Sequence, residues 1–206
     1  MSERIKIAVS PPIQLGGSLF TSEQLIEIGR LVGPEGKMEM TPFKQLYLEI
    51  PSYREEEITQ QLRNQGLEVN PSGFVTKSLI ACNFCKGAEE AGLDVARQLN
   101  KAISGMQTPS PLKIGYAGCA LGTSEPLLKD ISVVKMRNTF DIYVGGEPKG
   151  IKASFAQLLL TSLSEDDVVS VVSKLVYYYK EHAKGKEKFS KFVQRISIEH
   201  LKNIAS

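Results

Sequence analysis

Hydrophobic and polar positions alternate in short blocks along the first third of the chain, and this pattern is typical of mixed α and β structure. Apolar alternation predicts three strands, at residues 5–10, 37–40 and 45–50. Thr21, followed three residues later by Gln24, has the composition of a capping box and predicts a helix start. A second amphipathic helix is predicted over residues 54–65. The order of these elements is βαββα.

The rest of the chain shows a different pattern, with longer apolar runs and more helix. Four strands are predicted, at residues 76–82, 113–117, 131–135 and 140–144. A helix over residues 88–104 separates the first two, and the chain is predicted to be helical from Ala153 onward. The turn-rich tetrapeptide 70–73 marks a boundary. The sequence therefore predicts an α+β fold with domains at residues 1–70 and 74–206.

Composition narrows the class of protein further. The chain has 206 residues, 42% of them hydrophobic, and a formal net charge of +2. No apolar run approaches the ~20 residues that cross a bilayer, so we expect no membrane span. The near-balanced charge gives no reason to expect a nucleic acid partner. Three cysteines without disulfide-framework spacing, and an amino terminus without a signal-peptide core, favour a reducing, cytoplasmic location.

The three cysteines lie near the ends of two predicted strands. Cys82 and Cys85 stand in the turn that follows the first of these strands, and Cys119 stands in the loop that follows the next. If a helix joins the two strands in parallel, both loops emerge at the same edge of the sheet, where such sheets bind ligands. Three thiolates that converge there are suited to a metal ion or an iron–sulfur cluster.

Other interpretations of the cysteines remain open from the residues alone. Free cysteines often pack as small buried hydrophobes. The C-x2-C spacing also occurs in zinc sites, although the two histidines, His182 and His200, fall in distant predicted helices. A redox dithiol is a further alternative, because the Asn83-Phe84 pair separates the cysteines near a helix start, where thiolates are stabilised.

Several segments, taken in order, carry a resemblance to a known family. They are residues 16–21, 41–45, 80–87, 112–119, 130–134, 140–146 and 187–199. With this order and spacing, the chain resembles the siroheme-dependent sulfite and nitrite reductases in a form with a single repeat. The resemblance implies a ferredoxin-like half-domain at residues 1–70 and a 4Fe–4S/siroheme domain at residues 74–206.

The resemblance also implies a function and a set of partners. Members of the family reduce sulfite, nitrite or a similar small oxyanion, with electrons that pass from a 4Fe–4S cluster to siroheme. The electrons come from a donor protein such as a ferredoxin. Larger members pair two half-domains within one chain, so a chain with one copy is expected to form a homodimer.

Individual residues match or depart from the family pattern. Cys82, Cys85 and Cys119 are the implied cluster ligands, but the family spacing C-x5-C is C-x2-C here. Thr123 replaces the last cysteine of C-x3-C, whose thiolate bridges cluster and siroheme in the family, and a hydroxyl is a hard, poor substitute. A non-catalytic descendant that binds a cluster or tetrapyrrole for electron transfer or sensing, and an interaction module without a cofactor, are the alternatives.

The implied catalytic residues are two lysines. Lys44 stands where the family has an arginine. Lysine keeps the positive charge but lacks the planar guanidinium that donates two parallel hydrogen bonds to one anion. Lys113 matches a family lysine at the start of the second core strand. The resemblance implies that these two lysines, together with Gly118 and Thr123, face the cofactor.

Overall fold

The computed structural model describes residues 3–151 and 153–205, which form two sheets and the helices that cover them. The elements of the first sheet are β1 (Arg4–Ser10), α1 (Ser22–Val32), β2 (Met38–Met40), β3 (Leu46–Pro51), α2 (Glu55–Asn64) and β4 (Glu68–Pro71). The strands are antiparallel, in the order β2-β3-β1-β4. The predicted order βαββα lacked β4, a short strand that ends in a proline at the sheet edge, where the missing N–H is tolerated.

Both helices of this first unit pack on one face of its sheet. Ile28 of α1 and Ile58 of α2 are buried together with Val9 and Leu48 of the strands. The predicted capping box is confirmed, because Thr21 Oγ1 accepts from the Gln24 N–H and Gln24 Oε1 accepts from the Thr21 N–H. Local sequence signals therefore fix where α1 begins.

The second unit is a five-stranded mixed sheet covered by four helices. Its elements are β5 (Ile80–Ala81), α3 (Leu93–Ile103), β6 (Ile114–Ala117), β7 (Ile131–Met136), β8 (Thr139–Val144), β9 (Gln157–Leu163), α4 (Glu165–His182), α5 (Phe189–Ile196) and α6 (Ile198–Ala205). The strand order is β5-β6-β7-β8-β9, with β5, β6 and β7 parallel and β8 and β9 antiparallel to their neighbours. The α+β fold class is thus confirmed.

Three sequence predictions in this unit were wrong in detail. The chain is not helical from Ala153, because β9 pairs with β8, and a short leucine run does not distinguish strand from helix. The strand predicted over 76–82 is reduced to β5, since Val75 and Thr76 make only isolated bridges. The predicted helical region is also interrupted at Ser197, whose φ of 79° separates α5 from α6.

The start of α3 also differs from the prediction. The helix begins at Leu93 and not at Ala88, because Gly92 has a left-handed φ of 69°. The carbonyls of Ala91 and Gly92 each accept a hydrogen bond, 2.9 Å long, from the buried Tyr116 hydroxyl of β6. A tertiary contact with β6 therefore holds the preceding turn out of the helix.

Polar contacts join the two units. The Ser78 hydroxyl accepts from Gln45 Nε2 at 2.8 Å and from Asn70 Nδ2 at 3.2 Å, and Ser10 Oγ donates to it at 3.4 Å. Asn100 Nδ2 of α3 donates to both carboxylate oxygens of Glu68 in β4. In the described residues, no helix is long and apolar enough to span a membrane.

Candidate functional site

The two cysteine loops lie at the same edge of the second sheet. Cys82 follows β5 directly, Cys119 stands two residues after β6, and the two strands are parallel. The Gly118 N–H donates to Cys82 Sγ across 3.2 Å, so the loops touch through one of the thiols. The structure thereby brings together the carboxyl ends of both strands, as their order in the sequence implies.

The three thiols nevertheless face different surroundings. Cys82 is buried, Cys119 is half-buried and Cys85 is exposed, and all three are free. Phe84, with a φ of 54°, turns inward and stacks on Tyr116 at a centroid distance of 5.9 Å, while Cys85 stands at the surface. Within residues 3–151 and 153–205, no group of three or more His, Cys, Asp or Glu side chains is arranged to hold a metal ion.

Gly118 sits at a point of close backbone packing in the Cys119 loop. A Cβ built on it would lie 2.6 Å from Ala91 Cβ and 2.8 Å from the Ala91 carbonyl oxygen. Atoms do not approach so closely, and a backbone oxygen cannot rotate away. The absence of a side chain at Gly118 therefore sets the distance between the Cys119 loop and the turn before α3.

Alanine at Gly118 is expected to destabilise the fold by about 1–3 kcal/mol, because the added methyl must displace backbone. Chemical denaturation of the two proteins measures this difference. Gly29→Ala is the matched control: nothing lies within 4 Å of its Cβ position in α1, and alanine there is expected to stabilise by about 0.5–1 kcal/mol. Equal stability of Gly118→Ala and wild type would contradict the contact with Ala91.

The predicted catalytic residue Lys44 lies beside the first cysteine loop. Its Nζ donates to the Ala81 carbonyl at 2.7 Å, and it lines a small interior cavity together with Cys82. Burial lowers the pKa of Lys44, and interaction with Cys82 opposes that shift. A second contact from the first unit, from the Gly16 N–H to the Asn83 carbonyl at 3.0 Å, also holds this turn.

The other predicted catalytic residue, Lys113, lies in a different cavity. It stands just before β6, at the opposite end of that strand from Cys119. The cavity is a cleft of about 400 Å³ between the two units. Phe43 lines both cavities, so the cleft adjoins the one that contains Lys44 and Cys82. The structure therefore places the two lysines in neighbouring cavities and not in one.

Four lysines line this cleft, which we call the lysine cleft: Lys77, Lys113, Lys149 and Lys188. Phe43, Tyr47 and Phe189 form aromatic walls. Lys77 is 3% exposed; its Nζ donates to the Gly73 carbonyl at 2.9 Å and lies 5.5 Å from the centre of the Tyr47 ring. Burial lowers the pKa of Lys77. Positive charge from four separate segments makes the cleft suitable for an anion.

Two buried carboxylates accompany the lysines. Asp130 lies 3.6 Å from Lys113 Nζ, and burial raises its pKa to about 6 although Lys113 opposes the shift. Glu147 accepts from Lys188 Nζ at 2.9 Å and from the Lys149 N–H at 3.1 Å, and these contacts lower its pKa although burial opposes them. Two of the four lysine ammonium groups, those of Lys113 and Lys188, thus have a carboxylate neighbour.

Thr123, predicted at the position of the bridging cysteine, has an exposed side chain. The next residue, Ser124, is buried, and its hydroxyl donates to the Tyr116 carbonyl at 2.8 Å. Sequence reasoning gave no role to Ser124 or to the cleft residues Lys77 and Glu147, whereas Asp130 and Lys188 lie in segments that carry the family resemblance. The cleft residues come from separate parts of the sequence and meet only through tertiary structure.

Comparison with known proteins identifies the family. Residues 76–206 match the model of the nitrite and sulphite reductase 4Fe-4S domain. The structure superimposes on that of dissimilatory sulfite reductase I with a TM-score of 0.76 at 14% identity, over 98% of this chain and 69% of that chain. The chain belongs to the nitrite and sulphite reductase 4Fe-4S domain family.

Two relatives are longer proteins, and the chain matches only part of each. The cobalt-factor III methyltransferase of Priestia megaterium is 31% identical over 191 residues, or 93% of this chain. A nitrite reductase [NAD(P)H] of Bacillus subtilis is 24% identical over 141 residues, or 65% of this chain. The chain spans 35% and 17% of the lengths of these relatives, so their activities are not transferred to it as findings.

Proposed function

We propose that this chain is an iron–sulfur redox protein that passes electrons to a small oxyanion, such as sulfite or nitrite, bound in the lysine cleft. The observation that carries the proposal is the hydrogen bond from the Gly118 N–H to Cys82 Sγ, which ties the two cysteine loops into one site. Membership of a 4Fe-4S domain family supports it independently. The lysine cleft adjoins that site through Phe43 and supplies the charge for an anion.

The cysteines would hold the cluster. Three soft thiolates are the donor set that iron–sulfur clusters take, and a backbone N–H aimed at Cys82 Sγ stabilises a thiolate. Ligation of one cluster by all three requires Cys85 and Cys119 to turn toward Cys82 from the surfaces where they now lie. When bound, the cluster supplies one-electron redox chemistry.

The lysines would bind and orient the oxyanion. Lys77 and Lys113 have little contact with water, so their charges act at low dielectric, where each interaction with an anion is stronger than in water. Fixed positive charge at the position where negative charge develops is the main contribution a protein makes to such reductions. Lys44, in the adjoining cavity, would extend the positive charge toward Cys82.

Siroheme fits these residues less well. The family position for the shared thiolate is Thr123, an exposed hydroxyl that does not bind soft iron as a thiolate does. We derive no step through siroheme for this chain.

The test is the consumption of sulfite and of nitrite by the anaerobic, cluster-loaded protein with reduced viologen as electron source. Lys113→Met is expected to reduce turnover about 100-fold, the scale of losing one stabilising group for a developing anion. Lys101→Met, an exposed lysine on α3, is the matched control and should turn over as wild type does. Cluster-loaded protein that consumes neither oxyanion would overturn the proposed activity.

A second candidate function is electron transfer to a tetrapyrrole. It is supported by the 31% identity with a protein named cobalt-factor III methyltransferase, over almost the whole of this chain. Lysines and aromatic walls also suit a flat ligand with several carboxylates. Absorbance titration with siroheme distinguishes the two: a saturable spectral shift without oxyanion consumption favours the second candidate.

We further propose that the protein works as a cytoplasmic homodimer that accepts electrons from a donor protein such as a ferredoxin. Strand β2 is an exposed edge, with Met38 55% and Met40 84% exposed, and such an edge can pair with a second copy. Light scattering at micromolar concentration should report a dimer, and Met40→Pro should shift the mass toward a monomer by removing an edge N–H. A wild-type monomer under these conditions contradicts the proposal.

A further inference from the structure

Asp130 and Lys113 form a buried pair on the wall of the lysine cleft. Asp130 precedes β7 and is 4% exposed. Its Oδ2 accepts from the Lys113 N–H at 2.8 Å and lies 3.6 Å from the Lys113 ammonium. Both side chains line the cleft, so an anion that binds beside Lys113 also lies near the Asp130 carboxylate.

The other carboxylate of the cleft is held differently. Glu147 accepts hydrogen bonds from Lys188 Nζ and the Lys149 N–H. These contacts lower the pKa of Glu147, which keeps this group ionised at neutral pH. Among the residues that the structure describes, the Asp130 carboxylate accepts a hydrogen bond only from Lys113, so fewer contacts offset the cost of burying its charge.

We propose that Asp130 couples anion binding to proton uptake: when an oxyanion binds beside Lys113, one proton from solvent is taken up on the Asp130 carboxylate. A bound anion and an ionised Asp130 repel each other across Lys113. Protonation of Asp130 removes that repulsion and leaves the full charge of Lys113 to the anion. Asp130 is thus a positioning residue that sets the charge of the cleft.

The direction of the pH dependence of anion binding, and the pH range in which it occurs, follow from the burial of Asp130. Its pKa is about 6 in the free protein, and a neighbouring anion raises it further. Below pH 6 the Asp130 carboxyl is already protonated in the free protein, so binding of the anion takes up little additional proton. Between pH 6 and the higher pKa of the complex, binding takes up one proton. Affinity for the anion then falls by up to about tenfold per pH unit as pH rises.

The other charged groups around Asp130 do not produce the same effect. Those that face it or share the cleft are Lys113, Lys77, Glu147, Lys149, Lys188, Tyr47 and Tyr179. Glu147 stays ionised through the range, and burial raises the pKa of Tyr47 and of Tyr179, which therefore stay neutral. The histidines His182 and His200 are exposed on α4 and α6 and do not line the cleft.

The coupling of anion binding to proton uptake rests on the proposed function for the identity of the anion. It also bears on the supply of protons to the reaction. Reduction of an oxyanion consumes protons as its oxygen atoms leave as water. Proton uptake on Asp130 brings one proton into the cleft together with the substrate. The carboxyl that carries this proton lies 3.6 Å from the Lys113 ammonium group, beside which the anion binds.

The test is calorimetric titration of the purified protein with sulfate from pH 5 to pH 8, since sulfate remains a dianion over this range. For wild type we expect the affinity to weaken by about tenfold per unit above pH 6. Titration in two buffers of different ionisation enthalpy at pH 7 should show uptake of about one proton. This second measurement needs no variant.

Variants of the two carboxylates show which of them causes the pH dependence of sulfate binding. Asp130→Asn keeps an oxygen that accepts from the Lys113 N–H and is expected to bind sulfate with the same affinity at all pH values. Glu147→Gln, the matched control, changes the other carboxylate and should keep the slope of wild type. Binding without proton uptake by wild type, or a pH slope that survives in Asp130→Asn, overturns the inference. Absence of sulfate binding at millimolar concentration overturns it as well. Because sulfate is not reduced, none of these results depends on the cluster.

Discussion

Serine at Cys82 is expected to remove iron and acid-labile sulfide from the protein together. Cys82 is the one thiol that joins the two cysteine loops, through its hydrogen bond with Gly118. A serine hydroxyl is hard and protonated at neutral pH, so it does not replace a thiolate on iron. With only Cys85 and Cys119 left, the chain retains half of the four ligands that a 4Fe–4S cluster takes.

Serine at Cys85 or Cys119 should have the same result, which is measured by iron and sulfide content after anaerobic reconstitution. Ala120→Ser is the matched control, because it adds the same hydroxyl to the exposed part of the Cys119 loop without removing a thiol. Full iron content in all three cysteine variants would contradict the assignment. Loss of iron in only one of the three variants would mean that a different set of residues binds the cluster.

Cysteine at Thr123 is expected to slow the loss of the cluster in air. With Thr123 in place, one iron has no cysteine ligand and is open to water and oxygen. That iron should leave first and give a three-iron cluster. A fourth thiolate closes the position, so the Thr123→Cys cluster should persist several-fold longer than that of wild type.

The comparison requires that the loop keeps its shape in the variant. Ser124, which hydrogen-bonds the Tyr116 carbonyl, holds the adjacent backbone in place, and Thr123 itself is exposed, so the exchange costs little stability. Thr123→Ser, which keeps a hydroxyl, is the control and should lose its cluster at the rate of wild type. EPR and absorbance follow the decay. Equal lifetimes for cysteine and threonine, with no three-iron signal, would show that residue 123 does not face the cluster.

Short-range signals predicted much of the fold correctly. The capping box at Thr21 and the positions of the strands β6, β7 and β8 follow from local composition and apolar runs. The errors arose where tertiary contacts override local preference. The Tyr116 hydroxyl delays the start of α3, and β9 is a strand because β8 is available to pair with it.

The candidate site was predictable only in part. Strand order alone predicted that the loops of Cys82 and Cys119 emerge at one edge of the sheet, and the structure confirms this. The direction of each thiol was not predictable, because it depends on the left-handed Phe84 and its contact with Tyr116. The lysine cleft was also not predictable, since Lys77 and Lys188 are distant in sequence and meet only after folding.

The role of Lys44 and Lys113 as catalytic residues stays a prediction. The family resemblance suggested both, and the structure separates them into neighbouring cavities that share Phe43. If an oxyanion in the lysine cleft is the substrate, Lys113 acts on it directly and Lys44 acts on the cysteine turn. The two lysines would then differ in effect: Lys113→Met should lower turnover, whereas Lys44→Met should alter the stability of the cluster.

The most direct measurement is the absorption and EPR spectrum of the protein purified and reconstituted without oxygen. We expect a broad absorption in the blue that bleaches on reduction, with iron and sulfide in the ratio of an iron–sulfur cluster and without the sharp bands of siroheme. A protein that stays colourless and free of iron after reconstitution would contradict it.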